Sequence, residues 1–218
     1  MISSETARIG ILKRAKEVST AIVVRYSDVR NVLRNAVAAP DRAPEIIETA
    51  RNMFQQRAAD TALSAFIRDD ANGSLDVLDS FESVRSQLDG LECVPAPSNQ
   101  ELLNISGVAV SVNCDILIHR ARRDQSEIGG ALFRLTKPEE EPSERSLQRR
   151  REMAGYAASL VLMHISEHHA ANMRPNGALC LSIDVQSGET HDAARAFTRR
   201  RQNIENACRF ISAMWSEV

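Results

Sequence analysis

"GVAVSVNCDILIHR", residues 107–120, decides how the chain is read. Small, apolar and β-branched residues alternate through it with a period of two, the pattern of a half-buried strand. Asp115 interrupts the run where one extended segment ends and the next begins. A carboxylate at such a junction must be solvated, paired or holding a cation.

Downstream, "RARRDQSEIGG" predicts a turn and "ALFRLTK" a strand. "PEEEPSE" is an acidic loop in which Ser143 is a candidate N-cap. "RSLQRRREMAGYAASLVLMHISEHHAA" places Ala154, Ala157, Val161 and Ile165 on one face of a long helix. "RPNG" turns the chain, "ALCLSIDV" has the composition of a buried strand, and "QSGET" is a turn. "DAARAFTRRRQNIENACRFISAMW" predicts a closing helix with Phe197, Ile204, Cys208, Ile211 and Trp215 facing inward.

Upstream of Asp115, "ELLNIS" predicts a further strand, or the first half of one long strand with a bulge at Ser106-Gly107. "ECVPAPSNQ", residues 92–100, reads as a loop or subdomain boundary, having two prolines among polar neighbours. The first 90 residues carry the helical period. "ARIGILKRAKEV" spaces Ile11, Ala15 and Val18, and "AIVVRY" is a short strand or a continuation of that helix. "SDVRNVLRNAVAA" stacks Val29, Leu33 and Ala36 behind Ser27 or Asp28 as a cap. "APEIIETARNMFQQRAA" has Pro44 in its first turn, a favoured position. "DTALSAFIRDD", with Asp60 as a cap, and "GSLDVLDSFESVRSQLDGL" predict two more helices. The division is a helical region, 1–91, and a 92–218 domain whose strand-helix-strand order favours a mixed sheet with flanking helices, an α/β fold.

Composition narrows the function classes. The 218 residues carry a net charge of −2, so binding to nucleic acid would need a local patch. Aromatics make up 4%, too few for an extended base-stacking surface. Cys93, Cys114, Cys180 and Cys208 are widely spaced, which fits reduced thiols in a cytoplasmic protein. No apolar run is long enough for a membrane span, and the charged start does not resemble a secretory signal. No G-x-S-x-G, P-loop or G-x-G-x-x-G is present.

The order of elements, with Asp115 in "NCDILIH" at a strand start, resembles the PD-(D/E)xK nucleases over about residues 70 to 215. "DVQSG" and "RQNIENACRFISAMW" are also similar to segments of an uncharacterised bacterial family of this type. The resemblance implies a helix, three strands, a helix and a strand, with an acid on the second strand and an acid-x-Lys pair on the third. It implies Mg²⁺-dependent phosphodiester cleavage, the acids holding the ion and the lysine stabilising developing charge. The third strand departs from the pattern. If Lys137 takes the lysine position the acid position is Leu135, and if Arg134 takes it the acid position is Leu132. Asp184 or Glu127 then becomes the second candidate ligand beside Asp115, with Glu82 as a possible helix glutamate. Where related nucleases carry Gln and Tyr four residues apart, this chain has Glu152 and Tyr156.

Two arginine runs, Arg149, Arg150, Arg151 and Arg199, Arg200, Arg201, lie in the first turns of predicted helices. Cations there oppose the helix dipole unless acids or phosphates offset them. They read as a solvated face or as a rim for DNA or RNA, to which Arg120, Arg122 and Arg123 could add. His164 and His168 are four apart, a spacing that can hold zinc, and His191 beside Asp192 is a candidate base. The expected function is a metal-dependent nuclease, or a nuclease-derived nucleic-acid-binding protein. The alternative is a non-catalytic scaffold that binds a protein partner through the N-terminal helices. Either way, Asp115 is expected to face one cleft with Asp184 or Glu127, beside Arg134 or Lys137.

Overall fold

The computed structural model describes residues 5–17, 25–123, 125–139, 141–170 and 172–217. Its helices are α1 (Glu5–Glu17), α2 (Ser27–Ala38), α3 (Ala43–Ala59), α4 (Ala65–Arg85), α5 (Glu144–His168) and α6 (Phe197–Met214). Its strands are β1 (Glu92–Pro95), β2 (Leu103–Ile105), β3 (Val108–Val110), β4 (Ile116–Arg120), β5 (Glu127–Arg134), β6 (Arg174–Asp184) and β7 (Glu189–Asp192). The chain is α/β, with N-terminal helices and a mixed five-stranded sheet in the order β1-β4-β5-β6-β7. Only β5 and β6 run parallel, joined by α5 as crossover; the other neighbours are antiparallel.

Alternation along the strands divides the two faces. Ile116 and Ile118 of β4, Ala131 and Phe133 of β5, and Leu181 and Ile183 of β6 share a core with Val29 and Leu33 of α2, Phe54 of α3 and Phe81 of α4. Cys114, Ile128 and Cys180 instead pack with Ala158, Val161 and Ile165 of α5 and Cys208 of α6. The sheet is therefore covered on both sides, which explains why β5 and β6 read as nearly continuous apolar runs.

Several expectations are corrected. "VAVSV" does not join the main sheet: β3 pairs only with β2, in a separate hairpin. The predicted bulge is its turn, with Ser106 at φ 51° and Gly107 at φ 82°, the conformation a two-residue hairpin connection demands and glycine tolerates. "ECVPAPSNQ" holds an edge strand, β1, and Pro95 sits at its end, where a missing N–H is tolerated. The other edge, β7, comes from polar "ETHD", where no alternation signals a strand. The closing helix starts at Phe197, and α6 lies chiefly against α5 and the hairpin.

The two helices predicted between residues 60 and 90 are one. α4 runs 21 residues and is capped by Ser64, whose Oγ accepts from the Ile67 N–H at 3.3 Å. Asp60 instead ends α3 and turns the chain, its side chain accepting from the Ala62 N–H. In α1, Leu12 is buried whereas Ile11 is exposed. Val18 and most of "AIVVRY" lie outside the described residues.

Gly129 sits where the β5-β6 register shifts, and a Cβ there would overlap the Leu179 backbone carbonyl. Gly129→Ala is expected to cost about 1–3 kcal/mol, since one strand must move off the other. Chemical denaturation against wild type checks this; an unchanged midpoint would mean that the strands part easily.

Candidate functional site

The site is built from the ends of β4, β5 and β6 and the helices on either face. Asp115, directly before β4, is 3% exposed. Its Oδ2 accepts from the Arg30 guanidinium of α2 at 2.7 Å and from the Phe133 N–H of β5 at 2.6 Å. Arg34, one turn further along α2, donates to the Asp115 carbonyl at 2.9 Å and to the Ala96 carbonyl. The opening motif is thus explained by packing: the carboxylate ties α2 to two strands. Burial pushes the Asp115 pKa above the usual carboxylate range, against the pull of Arg30 and of the Phe133 N–H.

Asp184, at the end of β6, is 1% exposed and points to the opposite layer. Arg150 of α5 holds it with two hydrogen bonds, Nε to Oδ2 at 2.5 Å and Nη2 to Oδ1 at 2.8 Å. Arg134 of β5 lies 3.3 Å from the same carboxylate. Arg150 also donates to the Thr136 carbonyl at 2.6 Å, and Arg134 to the Arg150 carbonyl at 3.3 Å. Burial lowers the Arg134 pKa from its ordinary value; Asp184 opposes that shift and Arg150 adds to it.

The expected common cleft is not formed. Asp115 faces α2 and Asp184 faces α5, so the sheet stands between them. Glu127 opens β5 at the far end, paired with Arg120 at 2.6 Å and Arg122 at 3.4 Å. The Arg120 guanidinium holds its carboxyl below the usual range. Nor do Arg134 and Lys137 stand beside Asp115: Arg134 belongs to Asp184, and Lys137 reaches Asp76 of α4 at 3.1 Å. The β5 residues on the Asp115 face include Ala131 and Phe133, and Leu135 follows on the same side, all apolar and buried. These residues do not fit the Mg²⁺ that the resemblance implies, because each candidate ligand is already held by a guanidinium and no two share a site. Among the described residues, no group of three or more His, Cys, Asp or Glu is placed to hold a metal ion. Glu82 pairs with Arg85 on its own helix at 2.6 Å, and Glu152 lies exposed on α5. The Tyr156 hydroxyl accepts from Asn203 at 2.8 Å.

The arginine runs separate into roles. Arg150 holds Asp184, Arg151 pairs with Glu189 of β7 at 2.8 Å, and Arg201 pairs with Glu205 at 2.9 Å. Arg200 lies across Gly155 and donates to the Arg195 carbonyl at 2.7 Å. Arg149 and Arg199 are exposed and make no ion pair among the described residues. Arg149 lines a cavity of about 350 Å³ with Arg134, Lys137, Arg150 and Ser146, and Glu139 is its one acid among the described residues. A sequence reading that listed these cations separately missed that β5, the following loop and α5 bring four of them together. It also missed Arg30 and Arg34, for which the spacing of four on α2 was the available signal.

His164 is fully buried, and neither ring nitrogen has a hydrogen-bond partner. Its ring centroid is 4.9 Å from that of His168 and 5.3 Å from that of His169. Burial depresses its pKa to about 4, and the two neighbouring imidazoles add to the shift. Acidification therefore has a defined sign. Below the ordinary value of 6.5 the unfolded chain takes up a proton that the folded ring refuses, so stability is lost as pH falls from 6.5 towards about 4. His164→Leu should lose less stability than wild type between about pH 7 and about pH 4.5 in urea unfolding. An equal loss would place the sensitivity elsewhere. His191 is 3.4 Å from Glu189, and Asp192 accepts from the Ala194 N–H, so the latter caps a turn.

No helix among the described residues is long and apolar enough to cross a membrane. Compared with protein families, curated proteins and solved structures, the chain matches none.

Proposed function

We propose that this chain is a nuclease-derived nucleic-acid-binding protein that holds phosphates with cationic side chains and does not cleave them. The observation that carries the reading is the convergence of Arg134, Lys137, Arg149 and Arg150 on one cavity. The acids expected to bind metal support it further, because guanidiniums already neutralise them. A phosphodiester needs only such donors to be held, whereas cleaving it through a metal needs carboxylates free to ligate. The class of nucleic acid is read by experiment: fluorescence anisotropy with labelled single- and double-stranded DNA and RNA at low salt. Saturable binding supports the proposal, and its absence from all four overturns it.

A second reading, a scaffold for a protein partner, has one observation in its favour. α1, α5 and α6 enclose a mostly apolar groove of about 590 Å³ whose lining includes the exposed Ile11 and Met153. Ile11→Asp separates the readings. It would block docking on that groove and leave a phosphate-driven affinity unchanged.

A further inference from the structure

We propose that the cavity between the end of β5, residues 137–139 and the early turns of α5 is a discrete site for one phosphate group, with Arg149 and Arg134 as its principal ligands. The inference deepens the nucleic-acid reading and rests on it for the source of the phosphate, the 5′-terminal phosphate of a strand.

The charge balance of α5 points there. Three consecutive arginines stand in its N-terminal third, close enough to repel one another unless acids or an anion lie between them. Arg150 is compensated by Asp184 and Arg151 by Glu189, while Arg149 lines the cavity and makes no ion pair among the described residues. Arg134 is also under-used. It shares one carboxylate with Arg150 at 3.3 Å, the longer of the two contacts, and its guanidinium has five N–H donors to place. Two guanidiniums on one carboxylate leave a net positive charge on the cavity wall. The Ser146 Oγ now donates to the Glu139 carboxylate at 3.3 Å. Glu139 is thus the anion occupying part of the space, and an entering phosphate must displace it. Planar guanidinium forks suit tetrahedral oxyanions, which accept several N–H bonds at once.

The test uses inorganic phosphate as probe, titrated calorimetrically at constant ionic strength against chloride, with thermal melting alongside. Wild type should bind phosphate and melt at higher temperature in its presence. Arg149→Ala should weaken phosphate about tenfold or more, with an unchanged melt in its absence, because the side chain is exposed. Glu139→Gln should bind phosphate more tightly than wild type. In a second arm, a 5′-phosphorylated oligonucleotide should outcompete its unphosphorylated twin for wild type and not for Arg149→Ala. Equal phosphate affinity in wild type and Arg149→Ala, or weaker binding in Glu139→Gln, overturns the site. Phosphate binding with no oligonucleotide binding overturns the nucleic-acid source and leaves the site; oligonucleotide binding insensitive to Arg149 does the reverse.

Discussion

Asp184→Ala should destabilise the protein by about 3 kcal/mol, the low end for removing one partner of a buried ion pair. Arg150 and Arg134 would keep their charges with no carboxylate between them, and both are largely covered, at 21% and 23% exposure. Partial access to water keeps the cost at that low end. Asp184→Asn should cost less, because an amide oxygen still accepts from Arg150. The sign separates two roles for this residue. An acid kept for a metal sits among other acids, so its removal relieves repulsion and raises the melting temperature of the metal-free protein. Chemical denaturation of wild type, Asp184→Ala and Asp184→Asn in the absence of divalent ions decides it. A stabilised alanine variant would contradict the ion-pair assignment.

The second large effect is on binding. If about four phosphates are neutralised by the cavity and its surroundings, affinity for a nucleic acid should fall roughly a hundredfold between about 50 and 200 mM salt. Replacing Lys137 and Arg149 by alanine should reduce the logarithmic salt slope by about 2 and weaken binding at low salt most. The triple replacement of Arg199, Arg200 and Arg201 should do less, since Arg201 is paired and Arg200 packs on α5. Anisotropy titrations at four salt concentrations measure all three slopes. A double variant with the wild-type slope would remove these residues from the interface.

Much of the fold was legible because the decisive signals are local. Asp115 stands at a strand start, as the change of period implied, and β4, β5, β6 and α5 follow their hydrophobic patterns, whereas on α6 only Cys208 of the predicted inward face is buried and Trp215 is exposed. The edge strands were not legible. β1 hides in a proline-bearing stretch and β7 is polar throughout, because an edge strand need not bury alternate side chains. α4 was split in the reading at Gly73, where the helix continues because Val77, Leu78 and Phe81 bury the same face beyond it. The site was legible as residue types and not as pairs. Asp184 and Arg150 were both singled out, one as a metal ligand and the other as a phosphate ligand, yet they hold each other. Their meeting depends on how α5 lies over β6, which no spacing along the chain encodes. The same holds for Asp115 and Arg30, 85 positions apart.

We propose that phosphates are held here without being cut. One titration tests it: a labelled strand at low salt in the presence of Mg²⁺, read by anisotropy and then by strand length from the same tubes. The expected result is saturable binding with the strand intact, for wild type and for Asp115→Asn alike. Cleavage by wild type that Asp115→Asn abolishes would contradict it.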